Sequence, residues 1–253
     1  MEGVIKGRSF APRKIMVYGP PGVGKTSFAC QAPNPIVIQT EQGAGDVGAD
    51  RFPVCKTFEQ FWTQCGQVVE GGQGYDTIVI DSLNWLEKLV HKYICDKHGA
   101  ENIEDTKVKE FAYQAGYNFA LDAWDNIIDK FDEMMESTGA NMIMCAHSKI
   151  QEFKDPTTDN YERFVPALHV SKKGIGAGSR LQQWCDEVLF INKKAMIRTT
   201  DKGEAKAIGG EDTYIFTQGR PSFDAKNRLN LPSEMVYEQG KGWEQYAMYL
   251  KGE

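Results

Sequence analysis

The sequence predicts an α/β fold: a mostly parallel central sheet flanked by helices, with antiparallel strands added at the C-terminal end. Three observations predict it. Short apolar runs at Lys14 to Tyr18 (KIMVY), Pro35 to Gln39 (PIVIQ), Thr77 to Ile80 (TIVI) and Asn141 to Ala146 (NMIMCA) have the length and continuity of strands buried on both faces. Stretches with apolar residues at helical spacing lie between them, which implies right-handed βαβ units. After about Ser148 the pattern changes to a hairpin and further strand-like segments without long helices.

Each element has its own signal. The run KIMVY enters a glycine-rich turn and then TSFACQA, which reads as strand, loop and helix. Thr57 to Gln60 forms a capping box ahead of Phe58, Phe61, Trp62, Cys65, Val68 and Val69, and Gly71-Gly72 stops that helix. Ser82 is placed to cap a helix running towards Lys97. Leu121, Trp124, Ile128, Phe131 and Met135 mark another amphipathic helix. Lys149 to Phe164 reads as a hairpin around Asp155-Pro156, followed by the Gly-rich stretch KKGIGAGSR. Glu187 to Asn192, Met196 to Thr200 and Tyr214 to Thr217 then read as strands added antiparallel to the sheet.

A chain of 253 residues fits one such domain over 1–253. Within it, 1–13 is a short N-terminal extension, 148–184 the hairpin with a candidate DNA-binding loop, and 220–253 a basic element and closing helix. The 41% hydrophobic, 11% aromatic and 25% charged content is that of a packed globular protein. With 29 Lys plus Arg against 35 Asp plus Glu, a formal charge of -6, the surface as a whole is no trap for nucleic acid, so any DNA contact is local. The six cysteines form no C-x-x-C pair and read as reduced core residues. No apolar run approaches the ~20 residues that span a bilayer, and the N-terminus has no signal-type core. The expected location is the cytoplasm, with no membrane partner.

Gly19-Pro20-Pro21-Gly22-Val23-Gly24-Lys25-Thr26 fits G-x-x-x-x-G-K-[ST] between a predicted strand and a predicted helix, the context that confirms a phosphate loop. The expected cofactors are ATP and Mg²⁺. Residues Gly19 to Ser27 cradle the phosphates with backbone N–H groups, Lys25 neutralises the β- and γ-oxygens, and Thr26 offers its hydroxyl to Mg²⁺. Asp81 ends the strand TIVID at the sheet's C-terminal edge, where a carboxylate can hold a Mg²⁺-bound water; capping the next helix is its blander reading. Ser82 follows, so the acidic pair common at this strand is absent and a general base must come from elsewhere. Glu41, after IVIQT, reaches the same edge and can orient water, or else is a solvated loop residue. His147, at the end of the fourth strand, is placed to contact the γ-phosphate, or caps the strand end.

At these residues the chain resembles the RecA/RadA/DnaB class of ATPases. In that class the catalytic Glu follows the strand after the phosphate loop and the Mg²⁺ strand ends in Asp-Ser, as at Glu41 and Asp81-Ser82. The resemblance implies a RecA-like P-loop core with Glu41 as base and His147 in the sensor position. Lys226-Asn227-Arg228 looks like the Lys-x-Arg element of DnaB-type helicases and RadA. It implies Lys226 and Arg228 as cations reaching the neighbouring subunit's γ-phosphate, hence a homo-oligomer with ATP at its interfaces; a solvated basic turn is the alternative.

The order YGPPGVGKTSFA, TEQG, YDTIVIDSLNWLE, AHSKIQEFKDP, YERFVPAL, AKNR is similar more closely to the phage RecA-like single-strand annealing ATPases and covers most of the chain. That likeness implies DNA-stimulated ATP hydrolysis, single-stranded DNA binding, annealing or strand pairing in recombination, a phage single-strand-binding protein as partner, and the host cytoplasm as location. The class holds DNA with two loops, here about Asp96 to Gly116 and Ser148 to Trp184. Within the second, Lys172, Lys173 and Arg180 are the expected DNA contacts, in a segment from Ser171 to Gln183 that has three cations and no acid. The residues also admit a ring-forming helicase or helicase-loading motor, a small-molecule kinase and a protein-binding nucleotide switch.

Overall fold

In the computed structural model, which describes residues 11–43, 45, 47–171, 174–199, 205–238 and 240–250, the apolar runs become strands. The first forms β1 (Lys14–Gly19), followed by the glycine-rich loop and the short helix α1 (Lys25–Cys30). Next come β2 (Pro35–Gln39), the two-residue β3 (Asp50–Arg51) and α2 (Phe58–Gly71). The Thr57 hydroxyl caps α2 by accepting the Gln60 N–H, while the Gln60 side chain accepts from Lys56, one residue before the cap. Then follow β4 (Thr77–Asp81), α3 (Leu83–His98), a 3₁₀ turn at Lys109–Gln114, α4 (Gly116–Thr138) and β5 (Asn141–Phe153). The remainder is β6 (Tyr161–Pro166), α5 (Ala177–Trp184), β7 (Glu187–Thr199), β8 (Ala205–Phe216), β9 (Glu234–Val236) and α6 (Gly242–Ala247).

The strands join in the order β3-β2-β4-β5-β1-β7-β8-β9, and β6 pairs with the far half of β5. All pairs from β3 to β7 are parallel, whereas β5 with β6, β7 with β8 and β8 with β9 are antiparallel. This is the α/β class and sheet type that the sequence predicts. Alternation splits the core in two. Met16, Tyr18, Ile36, Ile38, Ile78 and Ile80 pack with Phe61 of α2, Leu86 of α3 and Trp124 and Phe131 of α4. Ile15, Val17, Val37, Val79 and Ile143 join Phe28 of α1 and Trp243 and Tyr246 of α6 on the other face. All six cysteines are free, and five are buried. No helix among the described residues is long and apolar enough to cross a membrane.

Three expectations need correction. Glu187 to Asn192 is not an antiparallel addition: β7 runs parallel to β1, with Ile15 opposite Glu187 and Tyr18 opposite Phe190. The reason is α5, which crosses back to the starting edge of the sheet and is hidden in the Gly-rich composition of KKGIGAGSR. Met196 onward is no separate strand but continues β7 to Thr199, paired with a β8 that begins at Ala205; Thr200 lies outside the described residues. Ser82 occupies the cap position of α3 but makes no capping hydrogen bond. Its backbone is held by Thr40, whose hydroxyl donates to Ser82 C=O at 2.6 Å and accepts Ser82 N–H at 2.9 Å.

Candidate nucleotide site

The parallel register brings the ends of four strands to one edge. Gly19 stands opposite His147, Gln39 opposite Asp81, and Asp81 opposite Cys145. The residues that follow β1, β2 and β4 therefore meet there with His147, which lies within β5 where that strand leaves the parallel sheet, rather than at the strand end that the sequence suggests. The loop Gly19-Pro20-Pro21-Gly22-Val23-Gly24 turns through left-handed backbone at Gly22 (φ 76°) and Gly24 (φ 96°), where a side chain would be strained. It delivers Lys25, Thr26 and Ser27 as the first turn of α1, whose N–H groups have no acceptor within the helix. Lys25 is only 7% exposed. Its Nζ donates to the Pro20 carbonyl at 2.8 Å, which folds the side chain over its own loop and leaves ammonium donors to spare. Burial pulls the Lys25 pKa below its ordinary value, opposed by the nearby Asp81 and Glu41 carboxylates. An anion in the loop would relieve that penalty.

Thr26 and Asp81 meet as expected, the Thr26 hydroxyl donating to Asp81 Oδ2 at 2.8 Å. Burial raises the Asp81 pKa, and the Thr26 hydrogen bond opposes the shift. One hydroxyl and one carboxylate beside a phosphate cradle fit Mg²⁺, which takes few protein oxygens and completes its octahedron with water and phosphate. Thr26 would hold the ion through its hydroxyl oxygen and Asp81 through its carboxylate.

Glu41 follows β2 and folds towards β4, its N–H pointing at the Asp81 carbonyl at 3.4 Å. Its Oε1 lies 3.3 Å from His147 Nε2. Glu41, His147, Asp81, Thr26 and Lys25 thus form one group although Lys25 and His147 lie 122 positions apart in the sequence. A carboxylate that faces an imidazole, next to a phosphate loop, can accept a proton from water. His147 Nδ1 is buried with no hydrogen-bond partner among the described residues, so the ring is engaged through Nε2 towards Glu41 while its backbone is held separately.

That backbone reveals a residue that sequence reasoning missed. Asn84, in the first turn of α3, accepts the His147 N–H at 2.5 Å and donates to the Ala167 carbonyl at 2.6 Å. Ala167 N–H donates back to His147 C=O at 2.8 Å, which closes a ring of hydrogen bonds. One turn along α3, Glu87 accepts the His169 N–H at 2.8 Å, and Lys149 Nζ donates to Leu168 C=O at 2.7 Å. Asn84 lies within the quoted motif DSLNWLE, but its partners are distant in sequence, so no local pattern marks it.

Lys226 and Arg228 are not brought to this site. Lys226 pairs through its backbone with Val188, level with Met16 in the lower half of β1. Arg228 Nη1 donates to Asp186 Oδ1 at 2.9 Å, and Asp186 Oδ2 accepts the Lys14 N–H at 3.1 Å, at the very start of β1. β1 has six residues, so its ends lie about 16 Å apart at ~3.3 Å per residue. Neither cation serves the phosphate loop of its own chain. Arg180 sits on α5 and is committed to α4, donating to the Leu121 carbonyl at 3.2 Å and pairing with Asp125. Lys172 and Lys173 lie outside the described residues.

The family comparison agrees with the geometry. Residues 11–229 match the family described as AAA domain. A curated relative, the SPbeta prophage-derived uncharacterized protein YorG of Bacillus subtilis (strain 168), is 23% identical over 241 residues, covering 89% of this chain and 67% of that protein. Among solved structures, the crystal structure of the RadB recombinase is similar with a TM-score of 0.49 at 12% identity, covering 92% of this chain and 90% of that one. With most of its length matched and a phosphate loop whose lysine, hydroxyl and carboxylate are assembled, the chain belongs to the AAA domain family and is a P-loop nucleoside triphosphatase.

Proposed function

We propose that this protein hydrolyses ATP while bound to single-stranded DNA and promotes annealing or strand pairing in phage recombination, assembling with ATP at subunit interfaces. The observation that carries the reading is the Glu41–His147 pair, 3.3 Å apart, at the strand edge that also holds the phosphate loop. A base in that place suits proton removal from an attacking water, and the DNA dependence of hydrolysis separates this reading from a kinase or a switch. In this reading the loop N–H groups and Lys25 bind the β- and γ-phosphates, and Glu41 takes a proton from a water. The water oxygen bonds to the γ-phosphorus as its bond to the β-γ bridging oxygen breaks, leaving ADP and phosphate. Bound Mg²⁺ would supply charge neutralisation on the phosphates. His147 responds to the lost γ-phosphate, and Arg228 of the next subunit stabilises the transferring group.

The position of Arg228, about 16 Å down the sheet from its own loop, supports service in trans, and the prophage origin named for the relative supports the phage setting. A phage single-strand-binding protein is the expected partner. For DNA contact, the hairpin exposes Ile150 and Phe153, and the turn before α5 exposes Ile175. Arg180 would have to leave Asp125 to reach a phosphate.

The test is ATP hydrolysis with and without single-stranded DNA, in the parent and in Lys25→Ala, Glu41→Gln and Arg228→Ala. Lys25→Ala should lose nucleotide binding. Glu41→Gln should keep binding and lose turnover by about 10²–10⁴-fold, the usual contribution of a general base. Arg228→Ala should lose about 10³-fold or more, as for an arginine finger. Hydrolysis that ignores DNA in the parent would sink the recombination reading and leave a switch or kinase.

A further inference from the structure

The phosphate loop is held from behind by a part of the chain that lies beyond residue 229, where the family match ends. Tyr237 follows β9 and is 9% exposed. Its hydroxyl donates to the Gly24 carbonyl at 3.1 Å, and the same carbonyl accepts the Phe28 N–H at 2.8 Å, the bond that starts α1. The ring lies flush against the loop: a Cβ at Gly24 would stand 2.6 Å from Tyr237 Cε1. Behind the ring, a Cβ at Gly242 would stand 2.2 Å from Cε2, so the backbone of α6 backs the tyrosine. α6 is in turn packed on α1, with the Trp243 and Tyr246 rings 6.1 and 6.2 Å from Phe28. Trp243 N–H also donates to Gln31 Oε1 at 3.3 Å.

The consequence follows from peptide geometry. The Gly24 carbonyl and the Lys25 N–H belong to one planar trans unit and point in opposite directions. Fixing the carbonyl on the tyrosine side therefore aims the N–H at the phosphate side. Glycine at 24, with φ 96°, has little intrinsic preference that would hold this plane. Burial raises the Tyr237 phenol above its ordinary pKa, so the hydroxyl stays protonated well beyond neutral pH.

We infer that Tyr237 is a positioning residue for nucleotide binding: its hydroxyl fixes the Gly24–Lys25 peptide so that the loop is formed before the phosphates arrive. The inference rests on the phosphate loop being the nucleotide site. The experiment is calorimetric titration of the full chain with Mg-ADP, together with steady-state ATP hydrolysis, in the parent, Tyr237→Phe and Trp243→Phe. Tyr237→Phe keeps the ring and loses one hydrogen bond of ~1 kcal/mol, so ADP should bind about fivefold more weakly and KM for ATP should rise with kcat kept. Trp243→Phe trims the packing of α6 on α1 without touching the loop, so it should lower Tm and leave ADP affinity unchanged. If Tyr237→Phe proves too unstable for titration, a smaller ADP-induced rise in its Tm reads the same loss. Parental ADP affinity in Tyr237→Phe, or an equal loss in Trp243→Phe, would overturn the inference. A parent chain that binds no ADP would overturn the loop's assignment, and the role of Tyr237 with it.

Discussion

At the scale of single residues, the nucleotide site is a set of short side chains whose effect depends on what holds them. Lys25 is folded back on the Pro20 carbonyl and Thr26 on Asp81. His147, by contrast, has no partner at Nδ1 among the described residues; its ring faces Glu41 through Nε2, and its backbone is held by bonds that run through Asn84. The Asn84 carboxamide is used at both ends, so Asn84→Ala removes the side-chain partner of one N–H and one C=O, both half-buried, at about 1 kcal/mol for each bond lost. The expected result is a fall in kcat of about tenfold or more with nucleotide affinity unchanged. Asn84→Asp, which can still accept from His147 but cannot donate to Ala167, should be intermediate. Steady-state kinetics that separate kcat from KM check this, and a variant with parental kcat would show that Asn84 only packs.

At the scale of elements, β5 joins two environments. Its first six residues sit inside the parallel sheet between β1 and β4, and its far half leaves the sheet to pair with β6, with Phe153 opposite Tyr161. The base of that hairpin is tied to the turn before Lys226 by Phe164 N–H on Ser222 C=O at 2.8 Å, Asp224 N–H on Phe164 C=O at 3.2 Å and the ion pair of Arg163 with Asp224. Its tip, from Lys154 to Asn160, is exposed and makes none of these ties. Replacing the tip by a two-residue Asn-Gly turn should therefore leave the fold and basal ATP hydrolysis intact, because Glu41, His147 and the loop are untouched. Stimulation by single-stranded DNA should fall severalfold if the hairpin is part of the DNA surface. Unchanged stimulation would move the DNA contact elsewhere, most directly to the segment containing Lys172 and Lys173.

At the scale of the whole molecule, one edge of the sheet carries the phosphate loop and base while the other carries Arg228, held by Asp186 beside Lys14. The proposed role of Arg228 therefore requires a neighbouring subunit. A mixing experiment reads that directly. Glu41→Gln subunits have an intact Arg228, and Arg228→Ala subunits have an intact Glu41, so both are inactive alone. Mixed, they should regain up to about a quarter of parental ATP hydrolysis if each active interface needs one base and one finger drawn at random from equal pools, by the logic of a finger supplied in trans. Failure to regain any activity would remove Arg228 from the neighbour's site.

Much of this was determined by the sequence itself. Buried parallel strands read as continuous apolar runs, and a phosphate loop needs glycines, a lysine and a hydroxyl at fixed spacing, so β1, β2, β4, the start of β5 and the residues Gly19 to Thr26 are legible without coordinates. Asp81 and Glu41 are legible as strand-end carboxylates because parallel strands share one C-terminal edge. The tertiary structure decided what depends on contacts between distant segments. It alone showed that β7 runs parallel to β1, since α5 is masked by its glycines. It showed Asn84 between His147 and Ala167, Tyr237 against Gly24, Arg180 spent on Asp125 and Arg228 a strand's length from its own loop. Local pattern records what a segment can form, whereas the partner that completes a hydrogen bond 213 residues away, as for Tyr237 and Gly24, is fixed only when the sheet closes and brings the two together.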